Sequence, residues 1–90
     1  MAVRVQQDDF DVGAESRALQ GPAVGAIALF VGTVRSLSED DSVTAMTLEH
    51  YPGMTEAEIS RIEDEARARW PLLGVTVVHR VGRLLAGEQI

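Results

Sequence analysis

Between Ser42 and Gly82 the chain reads as strand, proline turn, helix and strand, an order that leaves few topologies open. From Val43 to Tyr51 the residues alternate: Val43, Ala45, Thr47 and Glu49 fall on one side, Thr44, Met46, Leu48 and His50 on the other. That period of two is the mark of a strand. Pro52-Gly53 then turns the chain. Thr55 and Glu58 have the T-x-x-E spacing of a capping box, which predicts a helix start held by reciprocal side-chain hydrogen bonds. Ile59, Ile62, Ala66 and Trp70 share one helical face, and Glu56, Glu63 and Arg67 lie opposite. Glu63 and Arg67 form an i,i+4 pair worth a few tenths of a kcal/mol. Pro71 stops the helix, and Gly74 opens a strand over Val75–Val81 with Val75, Val77, His79 and Val81 on one face. A strand, a helix of about 14 residues and a second strand make a crossover, expected to be right-handed with its strands parallel.

The flanks are shorter. Val3 and Val5 alternate with Arg4 and Gln6 as a half-exposed strand, and Asp11 is placed to cap a helix over Val12–Leu19 that Gly21-Pro22 ends. Val24–Val34 is a nearly continuous apolar run, rich in β-branched residues, which reads as a central strand covered on both faces. Gly25 and Gly32 within it mark bulges or close backbone approaches. Arg35–Ser42 is polar and acidic without periodicity and reads as a mobile loop. Gly82 and Gly87 bracket Arg83-Leu84-Leu85-Ala86, and Glu88-Gln89-Ile90 reads as the opening of one more strand, so that the terminus looks cut.

Ninety residues are expected to form a single domain that buries roughly 60–65% of its unfolded surface. Fourteen acidic residues against eight basic ones give a net charge of −6, which argues against a nucleic-acid binder and against adhesion to anionic lipid. Every basic residue is arginine. Without lysine the chain has no Schiff-base amine and no lysine acid or base. Without cysteine it has no disulfide, no thiolate nucleophile and no zinc–sulfur site, which fits a reducing cytoplasm. The N-terminal residues show no signal-peptide pattern, and the longest apolar stretch, Val24–Val31, is far too short to span a bilayer.

Few residues point to chemistry on their own. His79 alternates with valines and reads as a core or strand-edge histidine; His50, at a strand end, also reads as structural. The two have no metal-ligand spacing, so no metal site is expected. Ser36 and Ser38 lack a G-x-S-x-G elbow, and Glu39-Asp40-Asp41 reads as a solvated loop rather than a cation site. Gly32-Thr33-Val34-Arg35 stands apart, because a glycine-marked strand end delivers an arginine into a polar loop. Its planar fork of donors matches carboxylate or phosphate and stays charged at any working pH. The residues by themselves also allow an ordinary surface salt bridge.

Three ordered blocks carry a family resemblance: FVGTVR (Phe30–Arg35), SVTAMTLEHYPGMTE (Ser42–Glu56) and EARARWPLLGVTVVHRVG (Glu65–Gly82). They resemble the large, catalytic subunit of molybdopterin synthase, the MoaE family. The resemblance implies an α+β fold of α/β-hammerhead type, a mixed sheet with a strand–helix–strand crossover and a short N-terminal helix. It implies a homodimer carrying a small ubiquitin-like sulfur-carrier subunit at each end. The carrier's C-terminal thiocarboxylate supplies two sulfurs to cyclic pyranopterin monophosphate, with no metal or redox cofactor. By the same resemblance Arg35, with Thr33 and Val34, lines the pocket for the anionic substrate or carrier tail. The family's catalytic lysines, and a histidine–arginine pair that binds anions, lie in a further C-terminal segment. None of these catalytic groups is found in this chain, and His79-Arg80 corresponds to an earlier strand. The expectation is therefore a C-terminally incomplete sulfurtransferase subunit, inactive by itself. The alternative is a short non-catalytic paralogue that dimerises or binds a carrier.

Overall fold

A computed structural model describes residues 2–35 and 45–90. In chain order the elements are β1 (Ala2–Gln6), α1 (Val12–Leu19), β2 (Ala45–Leu48), α2 (Met54–Arg69), β3 (Thr76–Arg80) and β4 (Gly82–Leu85). The fold is α+β. The loop expected over Arg35–Ser42, and the Val43–Thr44 start of the strand expected there, lie outside the described residues apart from Arg35 itself.

β1 and β3 pair in parallel, from Ala2 opposite Thr76 to Gln6 opposite Arg80. β2 and β4 pair antiparallel, from Ala45 opposite Leu85 to Leu48 opposite Gly82. The crossover expected of β2, α2 and β3 is not formed: β2 and β3 lie in different sheets, and the strand parallel to β3 is β1. The helix before β3 packs on β1, and β2 is drawn instead to β4, a strand that the sequence reading left unassigned between its two glycines. β3 and β4 are separated only by Val81, yet they belong to different sheets. Gly82 makes the change of direction with φ +86°, a conformation that side chains with a Cβ rarely adopt.

α1 follows its sequence signal closely: Asp11 caps it, its Oδ1 accepting from the Ala14 N–H at 3.0 Å. α2 does not. It begins one residue before Thr55, at Met54, with Gly53 as N-cap in the left-handed region (φ +84°). The carboxylate that reaches back is Glu56, accepting from the Gly53 N–H at 2.7 Å. Thr55 Oγ1 accepts from Tyr51 N–H at 3.1 Å, and Glu58 binds Arg61. The Pro52-Gly53 turn supplies a left-handed glycine two residues before the N-cap that the T-x-x-E spacing implies, and the helix starts there.

The inward face of α2 also differs from the expected one. Ile62 and Trp70 are exposed, whereas Glu63 is 3% exposed. Thr55, Glu56, Ile59, Ser60, Glu63, Ala66 and Arg67 are the buried or half-buried positions, a continuous stripe at helical spacing. The helix is rotated from the purely apolar register because the side facing β1 is set by its docking on that strand. Ile59 and Ala66 belong to both stripes. Among the described residues the buried apolar ones are Val34, Val81 and Leu84, of which Leu84 is fully buried.

The largest departure concerns Val24–Val34. No strand runs through it; only Thr33 makes a bridge, antiparallel to Gln89. Phe30 is 96% exposed, and Leu29 and Val31 are also exposed. A run apolar on both faces becomes a central strand only when strands flank it, and here a ladder partner reaches only its last three residues.

Candidate substrate-binding site

The Gly32–Arg35 end of this run is where the backbone becomes ordered against a neighbour. Val34 N–H donates to Glu88 O at 2.8 Å, Gly87 N–H to Val34 O at 2.7 Å, and Ile90 N–H to Gly32 O at 2.8 Å. In this paired stretch successive side chains point to opposite faces. Val34 turns inward and is buried, whereas Thr33 and Arg35 are exposed on the other face. The structure therefore gathers Thr33 and Arg35 on one accessible side and uses Val34 to hold them there. The guanidinium is set at the point where the chain leaves the ladder.

The histidines stay out of this arrangement. His79 lies half-buried on β3, its Nδ1 2.8 Å from Arg80 O. His50 Nε2 is 3.7 Å from a Glu56 oxygen at the start of α2. Arg80, left outside the site by the sequence reading, is buried and committed to backbone. Its Nε and Nη2 donate to Gln7 O at 3.1 and 3.0 Å, and its Nη1 donates to Gln89 O at 3.0 Å. Asp9 and Glu88 flank it at 3.8 and 3.9 Å. This anchor ties the end of β1 to the Gly87–Ile90 segment, which in turn pairs with Thr33. Sequence reasoning found no role for Arg80; only its distance in sequence from Gln7 hid the signal.

Asp9 completes the junction. It accepts from Gln89 Nε2 at 2.8 Å and from Phe10 N–H at 2.8 Å. The Gln89 hydrogen bond, then that of Phe10, with the Arg80 charge adding to them, hold its carboxyl below the usual aspartate range. Among the described residues no three histidine or acidic side chains cluster as metal ligands. None of their helices is long and apolar enough to cross a membrane.

Fold and site together define a small α+β chain that presents an arginine from a buried-valine strand end, an arrangement suited to anions. Comparison with known proteins gives this class a family. The MoaE protein family model matches residues 5–90. The chain is 50% identical over 90 residues to the molybdopterin synthase catalytic subunit of Ralstonia nicotianae, covering 98% of this chain and 51% of that protein. It is 56% identical over 90 residues to the subunit of the same name from Mesorhizobium japonicum, covering 98% and 55%. The solved MoaE protein of Burkholderia ambifaria superposes with a TM-score of 0.86 at 53% identity, covering all of this chain and 61% of that one. The chain belongs to the MoaE family. It spans a little over half the length of these relatives.

Proposed function

We propose that this chain provides the anion-binding part of a molybdopterin synthase catalytic subunit, acting in molybdenum cofactor biosynthesis. The observation that carries the reading is the exposure of Arg35 and Thr33 on one face of a strand end whose intervening Val34 is buried, in a chain about 50% identical to subunits of that name.

The substrate class follows from the resemblance: cyclic pyranopterin monophosphate is anionic, and the small carrier protein ends in a thiocarboxylate. Arg35 offers a fixed cation and up to five donors to either group. Its partner Thr33 adds a hydroxyl on the same face. Each sulfur transfer breaks the carbon–sulfur bond of the carrier terminus, whose carbonyl carbon takes oxygen from water and is left as a carboxylate, and forms a carbon–sulfur bond on the pterin side chain in place of a carbon–oxygen bond. Arg35 acts by holding the negative charge of the reactants in place. Proton transfer falls to lysines that the family carries outside the stretch matched here, since this chain has no lysine. The expected assembly is a cytoplasmic homodimer with one carrier on each subunit.

The test is binding followed by turnover. Thiocarboxylated carrier and pyranopterin substrate are titrated separately into the chain and into Arg35→Ala. Loss of one charge-assisted contact is expected to weaken binding of at least one of them by about 10- to 100-fold. Unchanged affinity for both would remove Arg35 from the site. Binding of carrier without any turnover on added substrate is the expected behaviour of the 90-residue chain; full activity would show that the missing lysines are not required.

A further inference from the structure

The turn that brings Gly87–Ile90 against the Gly32–Arg35 strand end has a specific form. Glu88 N–H donates to Leu85 O at 3.1 Å, closing a β-turn over Leu85–Glu88 with Gly87 at its third position, φ +92°. A positive φ at that position is the mark of a type II turn. Gly87 N–H then donates to Val34 O at 2.7 Å, and Val34 N–H donates to Glu88 O at 2.8 Å. Gly87 and Glu88 thus both stand opposite Val34, the pattern of a G1 β-bulge with glycine as its first residue. A side chain closes the turn a second time. Leu85 N–H donates to Glu88 Oε2 at 2.5 Å, and Glu88 Oε1 lies 3.9 Å from Arg80 Nη1.

The bulge sits where the ladder ends. Val34 is the last residue of its run to bond the Gly87–Ile90 segment, and Arg35 follows it. An extra residue on the partner strand breaks the regular pairing and raises the local twist, so Gly87 sets the direction in which Arg35 leaves Val34. Both backbone polar groups of Val34 are bonded to the bulge, and its side chain is buried. The residue before the guanidinium is therefore held by backbone and side chain alike. The other arm of the turn holds β2, with Leu85 opposite Ala45. One four-residue turn thus fixes the backbone next to Arg35 and the start of β2. A Cβ built on Gly87 would meet nothing within 4 Å, so glycine is required there by backbone conformation and not by space.

We propose that the Gly87–Glu88 bulge is the positioning element of Arg35, aiming its guanidinium at the anionic ligand. Gly87 supplies the left-handed backbone, and Glu88 supplies the carboxylate that locks the turn. Neither residue touches the ligand: a carboxylate would repel an anion, and that of Glu88 is turned back to Leu85 N–H and Arg80. The proposal rests on the reading of Arg35 as the anion-binding residue.

The experiment is a double-mutant cycle. Cyclic pyranopterin monophosphate and thiocarboxylated carrier are titrated separately into the chain, Gly87→Ala, Gly87→Asn, Arg35→Ala and the Gly87→Ala/Arg35→Ala double variant. Gly87→Ala is expected to weaken the probe that depends on Arg35 by about tenfold, through misplacement of the guanidinium. Asparagine is accepted at the third position of a type II turn, so Gly87→Asn is expected to stay within about twofold. In the Arg35→Ala background Gly87→Ala is expected to add no loss, because nothing is left to aim. Hydrogen exchange in Gly87→Ala is expected to speed at Val34 N–H by about tenfold or more. Val81 N–H, which donates to Gln6 O at 2.9 Å, is expected to keep its rate and serves as the control for the fold. If Val81 exchange also speeds, the cycle is run with Glu88→Ala in place of Gly87→Ala and Glu88→Gln, which keeps an acceptor for Leu85 N–H, in place of Gly87→Asn. Equal loss in the disruptive and the conservative variant would overturn the proposal, and so would the same loss with Arg35 removed. Weaker binding in Arg35→Ala with unchanged binding in the disruptive variant would overturn the positioning role alone. Unchanged binding in Arg35→Ala would overturn the site reading and the proposal together.

Discussion

Glu63 is the most exposed to argument of the side chains, because α2 buries it. Both carboxylate oxygens lack a hydrogen-bond partner among the described residues, and Arg67 Nε approaches only to 3.8 Å. An ion pair that loose offsets little of the cost of removing a carboxylate from water. Glu63→Leu is therefore expected to stabilise the chain by about 1–3 kcal/mol in urea unfolding, and Arg67→Ala to destabilise it. A loss of stability in Glu63→Leu would mean that the carboxylate has a partner. Asp9 behaves in the opposite sense. Its carboxyl is held below its ordinary value by Gln89, Phe10 and Arg80, so its contribution is present above the unfolded value, about pH 4. That contribution fades as the pH falls through the lower folded value. Asp9→Asn, which keeps an acceptor oxygen but cannot ionise, is expected to flatten the acid limb of the stability profile below about pH 4. Denaturation midpoints between pH 7 and pH 3 read this directly, and an unchanged slope would dismiss the Asp9 contacts.

α1 and α2 show two ways in which a helix start is decided. Asp11 needs only its own side chain and the next turn, and those are local, so the bounds Val12–Leu19 are visible in the residues. α2 has two candidate starts within three residues, and the backbone conformation of Gly53 selects between them. A Cβ built on Gly53 would meet nothing within 4 Å, so a substitution there tests conformation without a clash. Gly53→Ala is expected to cost about 1–2 kcal/mol through its left-handed φ, whereas Thr55→Ala, in a residue that caps nothing in α2 itself, is expected to cost less. Equal effects would return the cap to Thr55. β4 shows the other limit: Arg83-Leu84-Leu85 has no strong alternation, and its strand exists because β2 lies beside it.

The molecule as a whole is held at its two ends by Arg80. One guanidinium satisfies the carbonyls of Gln7 and Gln89, 82 positions apart in the chain, and is itself 8% exposed in its side chain. Arg80→Met is expected to cost about 2–4 kcal/mol, since it orphans both carbonyls. Arg80→Lys should recover little, because one ammonium cannot reproduce a fork that serves both acceptors; full rescue by lysine would show that charge alone suffices. The same contrast separates what could be read in advance from what could not. Capped helix α1, the alternating strands β1, β2 and β3, the turn at Pro52-Gly53 and the candidate group Thr33-Val34-Arg35 all stand in runs of a few residues. Their causes are local: side-chain periodicity, a capping oxygen, a glycine. The strand partners, the rotation of α2 that buries Glu63, the burial of Arg80 and the open edge beside Val24–Val31 depend on which segments meet across the chain. Those meetings are set by loop closure and by competition among edges for hydrogen bonds, and no local pattern records their outcome. Residue type put an arginine at a strand end; tertiary pairing with Gly87–Ile90 decided that it faces outward.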